Sequence, residues 1–317
     1  MSQNPVPPIC KPSPAQPKCR QTDLPWESPK SSHEDPRAPE LIAAIMRSPN
    51  YRQADEDVDF LNRDEIRGIR LQLDYTKAET LFREHGIAHS IVVFGSTRVP
   101  EPAVARARVA DLQTALERDP ENADLAQRLA IARRVLDKSR FYDIAREFGR
   151  LVGEAEHKVG DHLAVVTGGG PGMMEAANRG AADVGARTVG LNITLPHEQY
   201  PNPYVTPDLC YRFHYFGLRK LHFVMRARAL VVFPGGYGTL DELFETLTLI
   251  QTRKIDPVPV ILVGEDYWRK VFDPDFLVDE GVIDPEDRDL FWYAETAEEI
   301  WDDILRWYEL AGKPLTE

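Results

Sequence analysis

Residues 229–251 constrain the fold more than any other part of the chain. They open with four consecutive apolar residues, 230–233, a pattern typical of a strand that is buried on both faces. The segment PGGYG at 234–238 interrupts this run, and a helix follows whose apolar side chains recur at helical spacing. A strand, a glycine-rich turn and a helix in direct succession predict one unit of an α/β sheet.

The glycine turn itself predicts a ligand site. Gly235, Gly236 and Gly238 permit positive φ angles and place no side chain between the backbone and a ligand. The first turn of the following helix presents unpaired N–H groups and the positive end of the helix dipole. We therefore predict that a phosphate or another anion binds at this turn.

A second strand-to-turn junction lies earlier in the chain, where the apolar residues 90–94 run into Gly95-Ser96-Thr97-Arg98. A glycine and two hydroxyl groups at the carboxyl end of a buried strand are suited to contact a ligand. A polar turn without a ligand remains the alternative interpretation of these residues alone.

A third junction connects a strand at 163–167, the glycine loop at 168–172 and a helix at 173–184. It does not match the dinucleotide fingerprint, because Met173 stands where the third glycine is required. The next strand, 188–193, carries no acidic residue for a ribose hydroxyl, and the chain has no P-loop motif. The loop is predicted to be either a phosphate or ribose cradle or a purely structural tight turn.

Helices that alternate with buried strands predict an α/β fold, a Rossmann-like doubly wound parallel sheet with helices on both faces. Residues 1–39 hold 10 of the 25 prolines and are expected to form a disordered tail. Residues 40–87 are expected to form a helical arm with helices at 40–47 and 64–85. Residues 88–317 are expected to form the nucleotide-binding catalytic domain, with a helical hairpin inserted at 102–138. The predicted later elements are a strand at 257–263, a helix at 267–278, a short strand at 290–293 and a helix at 296–310.

Composition limits the kinds of partner and compartment. A net charge of −13 argues against a general nucleic-acid or anionic-membrane surface, although one pocket for a small anion remains possible. With only Cys10, Cys19 and Cys210, the chain has neither a disulfide framework nor a four-cysteine zinc site. The N-terminus lacks an apolar signal segment, and no apolar run approaches a membrane span, so we expect a cytoplasmic protein.

Three further features have two interpretations each. The proline-rich loop at 195–204 carries tyrosines that could stack on a base, whereas His197 and Glu198 could be ordinary surface residues. Arg219, together with His222 and Arg226, lies on one predicted helix face, which is either a solvated basic face or part of a site.

Glu242 also has two interpretations. Thr239 and Glu242 match the capping box S/T-x-x-E, which explains both residues without a ligand. A carboxylate in the first turn of a helix would also be fixed in place, and we expect the dipole to keep it ionised. The two roles are compatible.

The segment PGGYGTLDE at 234–242, together with Leu218-Arg219-Lys220 and TGGGPG at 167–172, resembles the LOG family. This family comprises the cytokinin riboside 5'-monophosphate phosphoribohydrolases, which were long labelled lysine decarboxylases. The resemblance covers residues 88–265. It implies cleavage of the N-glycosidic bond of a nucleoside 5'-monophosphate, without a metal or redox cofactor, by a homodimer or larger homo-oligomer.

The resemblance also implies which residues form the site. Arg219 and Glu242 would be the catalytic pair. The residues expected to bind substrate are Gly95, Ser96, Gly169, Gly170, Gly172, Met173, Lys220, Pro234, Gly235, Gly236, Tyr237, Gly238 and Thr239.

The base is not specified by these motifs, and AMP is as plausible a substrate as a cytokinin nucleotide. The insertion at 102–138 departs from the compact plant-type members, and the sequence is more similar to the larger bacterial subgroup. The lysine decarboxylase label finds no support, since neither Lys220 nor Lys254 has a recognisable context for a Schiff base. The alternative function is a carrier or sensor that binds a nucleotide or the molybdenum cofactor without turnover.

Overall fold

A computed structural model describes residues 24–159, 162–196 and 200–315, with the side chains of 157–159 left out. Most of the predicted tail, together with His197 and Glu198, lies outside these residues. Residues 24–37 form turns and bends. The chain divides into two compact units, Met1–Arg67 and Gly68–Glu317.

In the first unit, short helices follow one another. Helix α1 (Ala38–Arg47) begins with a proline in its first turn, and Asp57 caps α2 (Val58–Leu61) by accepting the Phe60 N–H at 3.1 Å. A 3₁₀ turn, Asp64–Ile66, precedes α3 (Arg67–Glu84), most of which belongs to the second unit. The helices predicted at 40–47 and 64–85 are confirmed, except that the second opens with this 3₁₀ turn.

The second unit contains a seven-stranded sheet in which all strand pairs are parallel. The strand order is β4-β3-β2-β1-β5-β6-β7, so successive strands run outward from β1 on one side and from β5 on the other. This is the predicted doubly wound fold. The strands are β1 (His89–Phe94), β2 (Leu163–Thr167), β3 (Thr188–Ile193), β4 (Cys210–Phe213), β5 (Ala227–Val232), β6 (Val260–Val263) and β7 (Trp292–Ala294).

Helices cover both faces of the sheet, which explains why its central strands are apolar on both sides. In β1, Ile91 and Val93 enter one core, whereas Val92 and Phe94 enter the other. The helices of this unit after α3 are α4 (Pro102–Arg118), α5 (Ala123–Lys138), α6 (Arg140–Val159), α7 (Met173–Asp183), α8 (Phe216–Met225), α9 (Tyr237–Gln251), α10 (Glu265–Val271), α11 (Pro274–Asp279) and α12 (Ala297–Leu310).

The predicted helical hairpin is confirmed as α4 and α5. Its two helices pack through a small cluster of their own that includes Leu112, Leu129 and Ala132. Asn122 is the N-cap of α5, and its side chain accepts the Leu125 N–H at 3.1 Å.

Two boundary predictions were wrong and one strand was missed, for identifiable reasons. The single helix predicted at 267–278 is two helices, because Asp273 caps a new helix and Pro274 cannot continue the old one. The strand predicted to begin at residue 257 begins at Val260, since Pro257 and Pro259 have no N–H for the ladder. The edge strand β4 was not predicted, and its four residues alternate too briefly to give a clear signal.

Candidate active site

A cleft of about 560 Å³ opens at the carboxyl ends of β1 and β5, the point where the strand order changes direction. Crevices at this position are where open α/β sheets bind their ligands. The lining comes from the turn after β1 and the starts of three helices, α7, α8 and α9. The lining residues are Phe94, Gly95, Ser96, Thr97, Arg98, Met174, Phe216, Arg219, Gly236, Tyr237, Gly238, Thr239, Asp241 and Glu242.

The N-terminus of α9 is open toward this cleft. Gly236 is the N-cap, and Gly236, Tyr237 and Gly238 are exposed. Within the described residues, the N–H groups of 236–239 donate to no other group. These donors and the positive end of the helix dipole form an anion site of the predicted kind.

The turn that precedes α9 is fixed by hydrogen bonds to its carbonyl groups. The hydroxyl of Tyr267 donates to the Gly235 carbonyl at 2.6 Å, and the Ser96 N–H donates to the Pro234 carbonyl at 3.0 Å. Thr239 packs so closely over Gly235 that a Cβ there would lie 2.1 Å from the threonine Oγ1. Pro234 and Gly235 are therefore buried supports of the turn and do not line the cleft.

The capping-box interpretation of Thr239 and Glu242 was wrong. Helix α9 begins at Tyr237, so Thr239 is the third residue of the helix, and the N-cap Gly236 has no side chain to bond. Both residues are buried, at 6% exposure each. The helix starts three residues earlier than the capping box requires, so the box no longer explains Glu242.

Glu242 lies in the second turn of α9, at the inner end of the cleft. Behind it is a small cavity of about 10 Å³ whose lining includes Phe94 and Phe223. Burial in these apolar surroundings raises the pKa of Glu242 to about 7, although the charges of Arg219 and Lys220 oppose the shift. The expectation that the helix dipole keeps this group ionised was wrong, because the dipole acts mainly within the first turn.

Arg219 lies on α8 and lines the same cleft. Its Nε donates to the Leu191 carbonyl at 2.7 Å, and its guanidinium lies 5.1 Å from the centre of the Phe223 ring. Burial lowers the pKa of Arg219, and the nearby charge of Glu242 opposes this shift. The two predicted catalytic groups are thus in one cleft and interact electrostatically.

The predicted basic face on α8 is not a solvated face. His222 is 1% exposed and packs among rings that include Phe82 and Phe213, and burial lowers its pKa. Arg226 pairs with Glu79 at 2.7 Å. Of the three basic residues, Arg219 lines the cleft, and the other two join α8 to α3 and the core.

The start of α8 is set by a residue of α3. The Asp74 carboxylate accepts the N–H groups of His214 at 3.0 Å and Tyr215 at 2.9 Å, and Tyr215 is the N-cap of α8. The Tyr215 hydroxyl also accepts from Arg70 at 3.1 Å. The orientation of the helix that carries Arg219 therefore depends on a segment outside the predicted catalytic domain.

Lys220 joins α8 to α9 and does not line the cleft. Its Nζ lies 3.0 Å from a carboxylate oxygen of Asp241 and 3.0 Å from one of Glu245. Burial alone would lower the pKa of Lys220, but these two bonds outweigh it and raise the pKa. Through these ion pairs, Lys220 connects the two helices that carry Arg219 and Glu242.

The backbone of the second glycine loop, 168–172, is largely hydrogen-bonded to other groups of the protein. The Gly169 N–H donates to Thr167 Oγ1 at 2.9 Å, and Asn202 donates to the carbonyls of Gly169 at 2.8 Å and Gly170 at 3.0 Å. A Cβ on Gly172 would lie 2.3 Å from the Ser96 carbonyl oxygen. The four glycines of this loop are buried and do not line the cleft. From this region, Met174 of α7 lines the cleft instead.

The structure therefore divides the predicted substrate-binding residues into two groups. The cleft is lined by Gly95, Ser96, Gly236, Tyr237, Gly238 and Thr239, together with the catalytic candidates Arg219 and Glu242. The residues that do not line it are Gly169, Gly170, Gly172, Met173, Lys220, Pro234 and Gly235.

Six residues that line the cleft were not among the predicted site residues: Phe94, Thr97, Arg98, Met174, Phe216 and Asp241. Thr97 and Arg98 directly follow Ser96, so their position at the sheet edge was readable. Phe216 lies three residues before Arg219, which puts both on one helix face. Met174 gave no sequence signal of its own.

The tyrosines of the loop at 195–204 do not line the cleft. The ring of Tyr204 lies 5.1 Å from the guanidinium carbon of Arg179, and Tyr200 is 72% exposed. The expectation that this loop supplies a base-stacking tyrosine is not supported by these positions.

Two properties of the described residues concern metal binding and membrane insertion. Among those residues, no three His, Cys, Asp or Glu side chains converge where they could bind a metal ion. No helix in the described part of the chain has the length and apolar character needed to cross a bilayer.

Comparison with known proteins gives consistent matches. A family model described as "Possible lysine decarboxylase" matches residues 174–304. Cytokinin riboside 5'-monophosphate phosphoribohydrolase LOG3 of Arabidopsis thaliana is 28% identical over 167 residues, which are 51% of this chain and 74% of that protein. The rice enzyme LOG, of the same description, is 30% identical over 171 residues, 51% of this chain and 65% of that one.

A bacterial relative matches over a shorter share of its length. Pyrimidine/purine nucleotide 5'-monophosphate nucleosidase of Escherichia coli K12 is 33% identical over 148 residues, 40% of this chain and 30% of that protein. Among solved structures, the molybdenum cofactor binding protein of Rippkaea orientalis is 22% identical over 52% of this chain and 86% of its own. Its TM-score is 0.39, a similarity that carries no inference about function. On the family match and these curated relatives, the chain is similar to the LOG enzymes over about half of its length.

Proposed function

We propose that this protein is an N-glycosyl hydrolase that cleaves nucleoside 5'-monophosphates of the AMP or cytokinin riboside monophosphate type to a free base and ribose 5-phosphate. The observation that carries the proposal is the placement of Arg219 and Glu242 in one cleft beside the open N-terminus of α9. The named activities of the plant and bacterial relatives support the same reaction class.

The phosphate is assigned to the outer part of the cleft. The free N–H groups of 236–239 suit its oxygens, and the exposed Arg98 lines the same space. Among the described residues, no hydrogen bond or ion pair engages the Arg98 side chain. This guanidinium is therefore free to pair with a phosphate.

Glu242 is assigned to the sugar. Breaking the bond between C1' and the base nitrogen gives a cation-like sugar, which a fixed carboxylate beside C1' stabilises. The ionised carboxylate also accepts a proton from the water whose oxygen forms the new bond to C1'. The departing base takes up a proton, so the reaction consumes one water and needs no other reactant.

Arg219 acts at the inner end of the cleft, beside Glu242. Its Nε is held by the Leu191 carbonyl, which leaves the outer guanidinium nitrogens to face the substrate. There it opposes the burial-driven rise in the pKa of Glu242 and keeps more of that carboxylate ionised near neutral pH. We assign Arg219 to the sugar and leaving base, and the phosphate to Arg98 and α9.

The structure also bears on the decarboxylase label of the family model. A lysine that forms a Schiff base must lose its proton, and pairing with Asp241 and Glu245 raises the pKa of Lys220. Lys254 is exposed and does not line the cleft. Neither lysine has surroundings suited to that chemistry.

A substrate panel tests the proposal. The protein is incubated separately with AMP, GMP, CMP, UMP and a cytokinin riboside monophosphate, and ribose 5-phosphate and free base are quantified. We expect equal amounts of both products from at least one nucleotide, and the matching nucleoside without phosphate to react far more slowly. Tight binding of a nucleotide with no cleavage would overturn the hydrolase assignment in favour of a carrier or sensor.

A further inference from the structure

Two aromatic side chains are exposed within the candidate active site. Phe216 is 53% exposed and Tyr237 is 93% exposed, and both line the cleft. Each is the first residue of its helix, α8 and α9 respectively. Aromatic rings left open in a cleft gain most from a ligand that has a flat face of its own.

Phe216 lies close to the position assigned to the sugar. It precedes Arg219 by three residues on α8, so the two side chains are neighbours on one face of the helix. Both belong to the cleft that contains Glu242. A base joined to C1' beside Glu242 therefore comes within reach of the Phe216 ring.

The cleft offers little for reading the edge of a base. Its described lining contains no Asn, Gln or His, and its polar side chains are hydroxyls, arginines and acids, several of which are already assigned to phosphate and sugar. The paired donor and acceptor on the edge of adenine are read by the amides of Asn or Gln, which this lining lacks. Stacking is tolerant of sequence because every base has a π face.

We infer that Phe216 and Tyr237 hold the base by stacking, and that the substrates are nucleoside 5'-monophosphates of several bases, with purines favoured over pyrimidines. Purines are favoured because their two-ring face covers more of each aromatic side chain. This inference rests on the proposed function and deepens it by naming how the base is selected.

The test compares Phe216→Leu and Tyr237→Leu with a matched control, Phe276→Leu. Phe276 is 57% exposed on α11 and does not line the cleft. The kcat and KM of each variant are measured with AMP, GMP, CMP and UMP. Stacking contributes about 1–3 kcal/mol per base, so kcat/KM should fall roughly 5- to 150-fold in the cleft variants, mainly through KM.

The loss should be larger for the purines, so the purine-to-pyrimidine ratio falls in both cleft variants and is unchanged in Phe276→Leu. Phe216→Tyr, which keeps the ring, should retain the ratio of the wild type. Cleft variants that match Phe276→Leu, or a wild-type enzyme that accepts a single base, would overturn the stacking inference.

Failure of the proposed function gives a different result. If the wild type cleaves none of the four nucleotides, their dissociation constants are measured by calorimetry with the same variants. Weaker purine binding in Phe216→Leu and Tyr237→Leu, but not in Phe276→Leu, would support stacking in a protein that does not hydrolyse. No binding to the wild type would overturn both proposals.

Discussion

The two glycine loops of this protein look alike in sequence and differ in what fills them. The loop at 168–172 and the turn at 234–238 both follow a buried strand and precede a helix. In the first, the backbone is engaged by Thr167, Asn202 and the turn after β1. In the second, the N–H groups of 236–239 have no partner among the described residues and face the cleft.

A glycine motif predicts that another group lies close to the backbone, but it does not say whether that group is a ligand or part of the protein. At Gly172 the neighbour is the Ser96 carbonyl of the protein itself, whereas at Gly236 and Gly238 a Cβ would meet nothing within 4 Å. A donor that already has a partner supports the fold, and a free donor is available to a ligand.

Gly172→Ala should destabilise the protein strongly, because the added methyl group would meet backbone atoms that cannot move aside. Gly172 has φ = +73°, and its Cβ would lie 2.3 Å from the Ser96 carbonyl oxygen. Strain and overpacking together predict a loss of roughly 2–5 kcal/mol in the free energy of unfolding, measured by urea denaturation. A loss below about 1 kcal/mol would show that the loop is not packed as described.

Glu242→Gln should stabilise the folded protein at alkaline pH. The pKa of Glu242 is raised from 4.5 to about 7, so the native state holds a proton that the unfolded chain releases between these values. This contribution to stability is complete below about pH 4.5 and is lost as the pH rises through 7. Above pH 8 the free energy of unfolding of Glu242→Gln should exceed that of the wild type by on the order of 1–3 kcal/mol.

The same comparison at pH 4 is the control, because Glu242 is then largely protonated in both the native and the unfolded states and the difference should nearly vanish. Glu245→Gln, three residues along α9, is the matched control variant at both pH values. A gain from Glu242→Gln that is equal at pH 4 and pH 8 would contradict the raised pKa.

Asn202→Ala should lower stability while leaving the chemistry of the cleft intact. The Asn202 side chain donates to the Gly170 carbonyl at 3.0 Å and to Asn178 at 2.9 Å, all of them buried. Asn178 keeps the Thr167 hydroxyl as a donor, but the buried Gly170 carbonyl loses its partner, which costs about 1–3 kcal/mol, measured by denaturation. If the variant instead keeps its stability and loses kcat, the loop at 168–172 belongs to the active site.

Gly238→Ala should give the smallest change in stability, and it should stabilise the protein where Gly172→Ala and Asn202→Ala destabilise it. Gly238 lies inside α9 with open space around it, so alanine should stabilise the helix by up to about 1 kcal/mol. Because the added methyl group enters the cleft lining, KM for the nucleotide should rise. Unchanged kinetics would mean that the substrate does not approach this part of α9.

The fold was largely predictable, because its signal is spread over many residues. The buried runs at 90–94 and 163–167, each followed by glycines and a helix, predicted strands and their parallel arrangement. The same patterns could not show that α9 starts at Tyr237, since Thr239 and Glu242 fit a capping box equally well. Only the position of Gly236 as N-cap excludes that box.

The site was partly predictable for the same reason. Arg219 and Glu242 were identified through resemblance of their motifs, and the structure places both in one cleft. Their electrostatics were not readable, because the burial that raises the pKa of Glu242 comes from Phe94 and Phe223 on other elements. Asp74 was equally hidden, since it fixes α8 from about 140 residues away.

The most direct test of the account is the rate of ribose 5-phosphate release from AMP by Glu242→Gln relative to the wild type at pH 8. General acid–base and charge stabilisation of this kind predict a kcat that falls roughly 10²- to 10⁴-fold, with AMP binding preserved in calorimetry. Glu245→Gln on the same helix should keep most of its activity. Wild-type turnover in Glu242→Gln would contradict the assignment of this carboxylate to the reaction.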